Sequence, residues 1–257
     1  MVSSAIGTLE RGWPAAQCHR TGRPAAAGRV YGLVGNRSKA LSKSKSKSSS
    51  RWLQEHFNDP FVQRAAKEGY RSRASYKLLE IQEKDRILRP GMRVLDLGAA
   101  PGGWSQVAAR LIGGNGRLVA VDRLPMNPIL GATVICGDVY DDAILAACEE
   151  ALAGGADLIL SDMAPNMSGI ASVDQARAIA LADIALDMAQ RWLVPGGALL
   201  MKVFMGAGAD GLRRDLRQHF RRIVVRKPEA SRARSAEQYW LASDFRGTRR
   251  GPLSGSV

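Results

Sequence analysis

Residues Arg93–Trp104, Arg-Val-Leu-Asp-Leu-Gly-Ala-Ala-Pro-Gly-Gly-Trp, constrain the fold more than any other stretch of the chain. A short apolar run reads as a buried strand. It passes through Gly98, Pro101, Gly102 and Gly103 into Ser105–Leu111, whose apolar residues recur at helical spacing. Strand, tight glycine turn and helix start together make the ligand-binding corner of a doubly wound α/β sheet. Glycine is expected there because a side chain would hold a ligand off the backbone amides. The same turn occurs in α/β proteins that bind nothing at it, so the rest of the chain has to supply the function.

The spacing argues against a dinucleotide. That ligand wants Gly-x-Gly-x-x-Gly, with the middle glycine at the pyrophosphate. Here Gly98 is followed by Ala99, Ala100 and Pro101 before Gly102, and no Gly-Lys-Ser/Thr marks a phosphate-binding loop. A looser glycine turn after an aspartate-bearing strand suits a ligand with no phosphate at the turn, such as S-adenosyl-L-methionine.

The 257 residues carry a formal net charge of +13, and 46% are hydrophobic. No apolar run is long enough to span a bilayer. So large a basic excess predicts a polyanionic partner, with nucleic acid the default and an anionic membrane surface the weaker option. Cys18, Cys136 and Cys148 are too few and scattered for a disulfide framework or a zinc site, which points to a reducing, intracellular compartment. Residues 1–50 read as an unfolded basic extension, with Glu10 the only acid and a lysine–serine run at its end. An RNA-contacting arm, a transit peptide and sequence upstream of the true start all remain open for it. Residues 246–257 read as a flexible tail.

From Arg51 the pattern becomes globular, and residues 51–245 read as one domain. Arg51–Tyr70 and Arg73–Arg86 predict two helices with basic faces. Strands are expected over Arg93–Leu97, Arg117–Asp122, Thr133–Cys136, Asp157–Leu160, Ala198–Phe204, Ile223–Arg226 and Gln238–Ala242. The intervening helices are Ser105–Leu111, Ala143–Leu152, Asp174–Leu193 and Asp210–Phe220. This alternation predicts a Rossmann-like α/β fold: a mostly parallel, seven-stranded sheet with helices on both faces and ligands at the carboxyl ends of the strands.

Asp122, Asp138, Asp162 and Lys202 stand at or just past strand ends, where that rule puts a site. Asp122 follows Gly98 by about 24 positions, close to where a ribose-binding carboxylate belongs in this layout. Any one acid there also serves as a helix cap or turn residue. Lys202 is harder to explain away, because it interrupts the apolar strand Leu199-Leu-Met-Lys-Val-Phe. A lysine whose pKa is depressed by burial or by a second cation can take a proton from a hydroxyl. His19, His56 and His219 lie away from these strand ends and lack metal-ligand spacing.

Six segments stand in order: Arg51-Trp-Leu-Gln-Glu-His-Phe, Ser72-Arg-Ala-Ser-Tyr-Lys-Leu, Asp96-Leu-Gly-Ala-Ala-Pro-Gly-Gly-Trp-Ser-Gln, Ser161-Asp-Met-Ala-Pro-Asn-Met-Ser-Gly, Lys202-Val-Phe, and Arg226-Lys-Pro through Ser231-Arg-Ala-Arg-Ser-Ala-Glu. Together they resemble the FtsJ-type ribosomal RNA 2′-O-methyltransferases, over about residues 40 to 245. The resemblance implies a catalytic set of Lys77, Asp162, Lys202 and Glu237. It also implies S-adenosyl-L-methionine contacts at Gly102 and Trp104, at Asp122 for the ribose hydroxyls, at Asp138 for the adenine, and at Asp162 near the methionine end. Ala236 stands where relatives carry a charged residue before the glutamate, a difference expected to affect the surface more than the chemistry.

On this reading Lys202 is the base for a ribose 2′-hydroxyl, and no metal is needed. Lys77 keeps Lys202 neutral or holds RNA, Asp162 orients Lys202, and Glu237 positions a lysine or the ribose. An adjacent acid and an adjacent cation shift a lysine in opposite directions, so residue types leave the net direction for Lys202 open. The implied substrate is a uridine of 23S rRNA on the assembled 50S subunit, met by a cytoplasmic monomer. Arg213, Arg214, Arg217, Arg221, Arg222, Arg226, Lys227, Arg232 and Arg234, with Lys43, Lys45, Lys47, Arg71 and Arg73, could track its phosphates. The same catalytic set serves relatives acting on tRNA or an mRNA cap, and an RNA-binding ribosome-assembly factor is the alternative from another class. The segments around Arg51–Lys77 favour rRNA.

Overall fold

The computed structural model describes residues 59–231 and 235–247, and among these two helices precede the sheet. Helix α1 (Pro60–Glu68) starts where the Asp59 carboxylate accepts the Phe61 N–H at 3.0 Å and Pro60 fills the first turn. It stops at Gly69, whose φ of 74° suits a residue without Cβ. The part of the expected first helix before residue 59 lies outside the described residues, as do the basic extension over 1–50 and the tail beyond 247. Helix α2 (Ala74–Asp85) follows.

The remaining elements alternate as expected. They are β1 (Arg93–Leu97), α3 (Gly103–Ile112), β2 (Arg117–Asp122), β3 (Ala132–Cys136), α4 (Asp142–Leu152), β4 (Ala156–Ser161), α5 (Ala171–Trp192), β5 (Leu193–Phe204), α6 (Ala209–His219), β6 (Phe220–Arg226) and β7 (Glu237–Phe245). The sheet order is β3-β2-β1-β4-β5-β7-β6. Strands β1 to β5 pair in parallel, while β7 runs antiparallel to both β5 and β6. Strand β5 is longer than its apolar run predicts, because Pro195-Gly196-Gly197 belongs to it. A shift of register opposite β4 lets Gly196, at φ 81°, be carried within the strand.

Side-chain alternation divides the core into two layers. Leu95, Leu97, Ile159, Leu199 and Met201 pack on one face with α4, α5 and α6. Val94, Leu158, Leu160 and Leu200 pack on the other with α2 and α3. Lys202 is two residues beyond Leu200, and so it falls on the α2/α3 face. The order of the strands reverses between β1 and β4, and a crevice opens at their carboxyl ends. Among the described residues no helix is long and apolar enough to cross a membrane.

Several basic residues expected to track phosphates are tied by hydrogen bonds and ion pairs to other parts of the protein. Arg71 donates through Nη1 to the carbonyls of Pro101 and Asn127, and through Nη2 to that of Pro128. Arg73 pairs with Asp59 and donates to the Ala230 carbonyl. Arg226 is fixed by Asp85 at 2.6 Å, and Lys227 donates to the carbonyls of Ser235 and Glu237. Arg214, Arg217, Arg221 and Arg222 remain exposed on α6 and β6. The lysines of the basic extension, with Arg232 and Arg234, lie outside the described residues.

Candidate active site

The glycine turn between β1 and α3 is tight for a steric reason beside the one expected from sequence. At Gly98, with φ 68°, a Cβ would stand 2.4 Å from Met163 Cγ. At Gly102, with φ 101°, it would meet Ile129 at 2.8 Å and Arg71 at 3.0 Å. The space a side chain would take is therefore filled by neighbouring loops, and glycine is required by their closeness. The Arg71 guanidinium joins the turn to the segment after β2 through the three carbonyls named above.

Asp122, at the end of β2, accepts the Ala100 N–H at 2.8 Å on one oxygen and the Leu124 N–H at 2.7 Å on the other. Asp138, just past β3, accepts the Tyr140 N–H at 3.1 Å and lies 3.6 Å from Arg123 Nε. The two acids stand side by side, since the Gly137 N–H donates to the Asp122 carbonyl. Leu124 and Tyr140 remain exposed beside them. Trp104 differs: its indole is buried, packs tilted against the Tyr239 ring at 5.6 Å between centroids and donates Nε1–H to the Ala74 carbonyl at 2.8 Å. The side chain braces α2 and β7, so what Trp104 offers the turn is its backbone N–H, unpaired within α3 at the first turn.

The other candidate residues meet in one network on the α2/α3 face. Antiparallel pairing sets Lys202 opposite Tyr239 and Phe204 opposite Glu237, which brings these side chains to one face. Lys77, in the first turn of α2, reaches down onto them. Its Nζ donates to Glu237 Oε1 at 2.8 Å and to Tyr239 Oη at 2.9 Å. Tyr239 Oη donates in turn to Asp162 Oδ1 at 2.7 Å. Lys202 Nζ contacts the same Oδ1 at 2.8 Å and donates to the Asp162 carbonyl, also at 2.8 Å. The amino groups of Lys77 and Lys202 thus lie on either side of an Asp162–Tyr239 bridge. Tyr239 was not singled out in the sequence, although it stands two residues beyond Glu237 and therefore on its face.

Charges within this network favour the ionised carboxylates. Burial pushes Asp162 up, but Lys202, Lys77 and the Tyr239 hydroxyl together hold it below its ordinary value. Glu237 is likewise pushed up by burial and, more strongly, held down by Lys77 and Lys202. Burial and the neighbouring Asp162 and Glu237 charges raise Tyr239 well above its ordinary value, which keeps the phenol protonated as a donor. Among the described residues no group of three or more His, Cys, Asp and Glu side chains is disposed to hold a metal ion.

Asp96, one residue before the end of β1, has the opposite character. Burial, reinforced by Asp162 and Asp122, pushes it up to about 7 from an ordinary 3.8, although the Ser105 hydroxyl donates to it at 2.5 Å. Its folded pKa exceeds its unfolded one. Its contribution to stability is therefore fully present below the unfolded value and is lost as pH rises through about 7. Asp96→Asn, neutral at every pH, is expected to remove this loss. Thermal unfolding at a series of pH values should show the variant gaining on the parent between pH 5 and pH 8; parallel profiles would contradict the assignment.

A profile of the FtsJ-like methyltransferase family matches residues 70–245. The chain is 80% identical over 204 residues to the ribosomal RNA large subunit methyltransferase E of Acidithiobacillus ferrooxidans, covering 79% of this chain and 93% of that protein. It is 60% identical over 205 residues to the protein of the same name from Pseudomonas fluorescens, covering 79% and 98%. The crystal structure of a ribosomal RNA methyltransferase from Plasmodium falciparum superposes with a TM-score of 0.63 at 27% identity, over 70% of this chain and all of that one. The matched span holds the glycine turn, both strand-end acids and every member of the Lys77–Asp162–Lys202–Glu237 network, and the chain belongs to the FtsJ-like methyltransferase family.

Proposed function

We propose that the protein methylates the ribose 2′-oxygen of a uridine in 23S rRNA, on the assembled 50S subunit, using S-adenosyl-L-methionine. The relatives named above for large-subunit rRNA support the substrate class. The observation that carries the chemistry is the chain of contacts from Lys77 through Tyr239 and Asp162 to Lys202, beside the glycine turn.

The residues at the turn suit this cofactor. Asp122 and Asp138 use backbone N–H donors to fix their carboxylates, and each oxygen retains a lone pair for a diol or an amino group. Exposed Leu124 and Tyr140 offer apolar contact to a heteroaromatic ring between them. Gly102 and the free N–H groups at the start of α3 favour a carboxylate. When bound, the cofactor supplies a methyl group activated by a positively charged sulfur.

Lys202, paired with Asp162 at rest, first gives up its extra proton to solvent; the neutral amine then takes the proton of the 2′-hydroxyl as its oxygen receives the methyl group, and the cofactor would leave as a neutral thioether. The Lys202 ammonium so formed donates to the Asp162 carboxylate and carbonyl until it returns the proton to water. Tyr239 holds Asp162 from the other side, and Lys77 and Glu237 hold Tyr239. Exposed arginines on α6 and β6 attract the phosphate backbone. Cytoplasmic action as a monomer is part of this reading. Transfer of labelled methyl to large ribosomal subunits, followed by mapping of the product, tests it. One 2′-O-methyluridine in 23S rRNA is expected; label on a base, on tRNA only, or nowhere overturns it.

A further inference from the structure

Beyond β4 and β5 the chain leaves the sheet in two loops, residues 162–170 and 205–208, that flank Asp162 and Lys202. Neighbouring residues in the first turn of α5 tie both of them down. The buried Asp174 carboxylate accepts the Ser168 N–H at 2.6 Å, the Ser168 hydroxyl at 2.7 Å and the Gly169 N–H at 3.0 Å. The Gln175 amide donates to the carbonyls of Phe204 and Ala207, each at 3.0 Å. A Cβ at Gly206 would come within 2.8 Å of that amide, so the second loop lies directly on Gln175. The two loops are thus fixed side by side.

Besides the polar Asn166 and Ser168, these loops leave three large apolar side chains to water. Met167 is 67% exposed, Ile170 59% and Met205 42%. A single exposed apolar residue on a surface is ordinary, but three on two loops stapled together beside a recessed charged pair form a patch. It lies on the β4/β5 side of the glycine turn, away from Asp122 and Asp138 at the ends of β2 and β3, so it is not the cover of the cofactor's ring. The Lys202 side chain beneath is only 7% exposed. The narrowest group that carries a 2′-hydroxyl to an amine that deep is a single nucleotide swung out of its stack, the form that enzymes acting on bases also take up. The swung-out base then exposes its faces, and thioether and aliphatic groups suit a flat polarisable ring.

We propose that Met167, Ile170 and Met205 form the platform on which the base of the target nucleotide rests while its ribose is held at Lys202. This rests on the ribose-methylation reading above and adds to it a nucleobase subsite. The platform selects an extruded base rather than a paired one.

The test uses the full chain carrying Met167→Ser together with Met205→Ser, alongside the Met→Leu pair at the same positions. Both residues are exposed, so thermal stability should change little, and the cofactor dissociation constant should stay within twofold. At saturating large subunits the single-turnover methylation rate of the serine variant is expected to fall about tenfold, the order lost when apolar side chains no longer cover the face of a ring. The leucine variant should keep most of the parent rate. An unchanged rate in the serine variant overturns the platform while leaving ribose methylation standing. Weaker subunit binding with an unchanged saturated rate also overturns it, and would make the patch a docking surface for another part of the subunit. A parent chain that methylates no ribose removes both readings.

Discussion

Lys202→Met is expected to slow methyl transfer by roughly 10³-fold, the middle of the range that a positioned proton acceptor supplies. Methionine keeps the length and apolar stem of the side chain, so Phe204 and the β5–β7 pairing are left in place. Asp162 retains the Tyr239 hydroxyl as a donor, and the fold should survive. Cofactor affinity, measured by calorimetry, should stay close to the parent's, because Asp122, Asp138 and the glycine turn are untouched. Lys202→Arg should be almost as inactive, since a guanidinium keeps its proton at every working pH. A methionine variant that retains more than a tenth of the parent rate, with cofactor bound, would remove Lys202 from the role of base.

Glu237→Ala carries the largest expected cost in stability. The side chains of Lys77 and Glu237 are only 9% and 11% exposed, and their contact is 2.8 Å. Removing the carboxylate leaves a buried ammonium with the Tyr239 hydroxyl as its remaining partner. Breaking such a pair from one side costs about 3 kcal/mol. In a domain of this size that lowers the melting temperature by roughly 6–12 °C. Lys77→Met combined with Glu237→Leu should recover most of the loss, because the cost lies in the charge left unpaired. A single-variant loss below about 1 kcal/mol would mean that water or another group replaces Glu237. Acid should imitate the substitution. Glu237 is held below its ordinary pKa, so its stabilisation is present above the unfolded value and is lost as pH falls through the folded one. That slope is opposite in sign to the one assigned to Asp96, and the two variants distinguish them.

Much of the fold was legible because strand–helix alternation and glycine punctuation are local signals. Asp162 and Lys202 could be placed from sequence for the same reason, since both stand at the ends of parallel strands. Glu237 came only through the resemblance, and Tyr239 did not come at all. Their position depends on the register of β7 against β5, a pairing of segments far apart in the chain that no periodicity reveals. Gln238-Tyr-Trp-Leu-Ala reads as ordinary core, and Tyr239 is indeed fully buried apart from the task of its hydroxyl. Arg71 and Arg73 misled in the other direction. A basic residue near a helix surface looks like a phosphate contact, but their carbonyl partners stand 30 to 157 positions away. For Gly98 and Gly102 the sequence offered only the ligand as a reason, and the crowding by Met163, Ile129 and Arg71 could not be read because those atoms belong to distant loops.

Strand β7 is the last of the sheet to be synthesised, yet it lies between β5 and β6 and not at the rim. While the nascent polypeptide is still emerging, those two earlier strands have to wait with a slot between them and unsatisfied edges facing it. Tyr239 and Glu237 arrive only with the strand that fills the slot, so the bridge between the two lysines is among the final contacts to form. A prematurely released polypeptide ending before residue 237 is therefore expected to be both inert and adhesive, and the protein becomes competent for chemistry at the same moment that it becomes safe from aggregation.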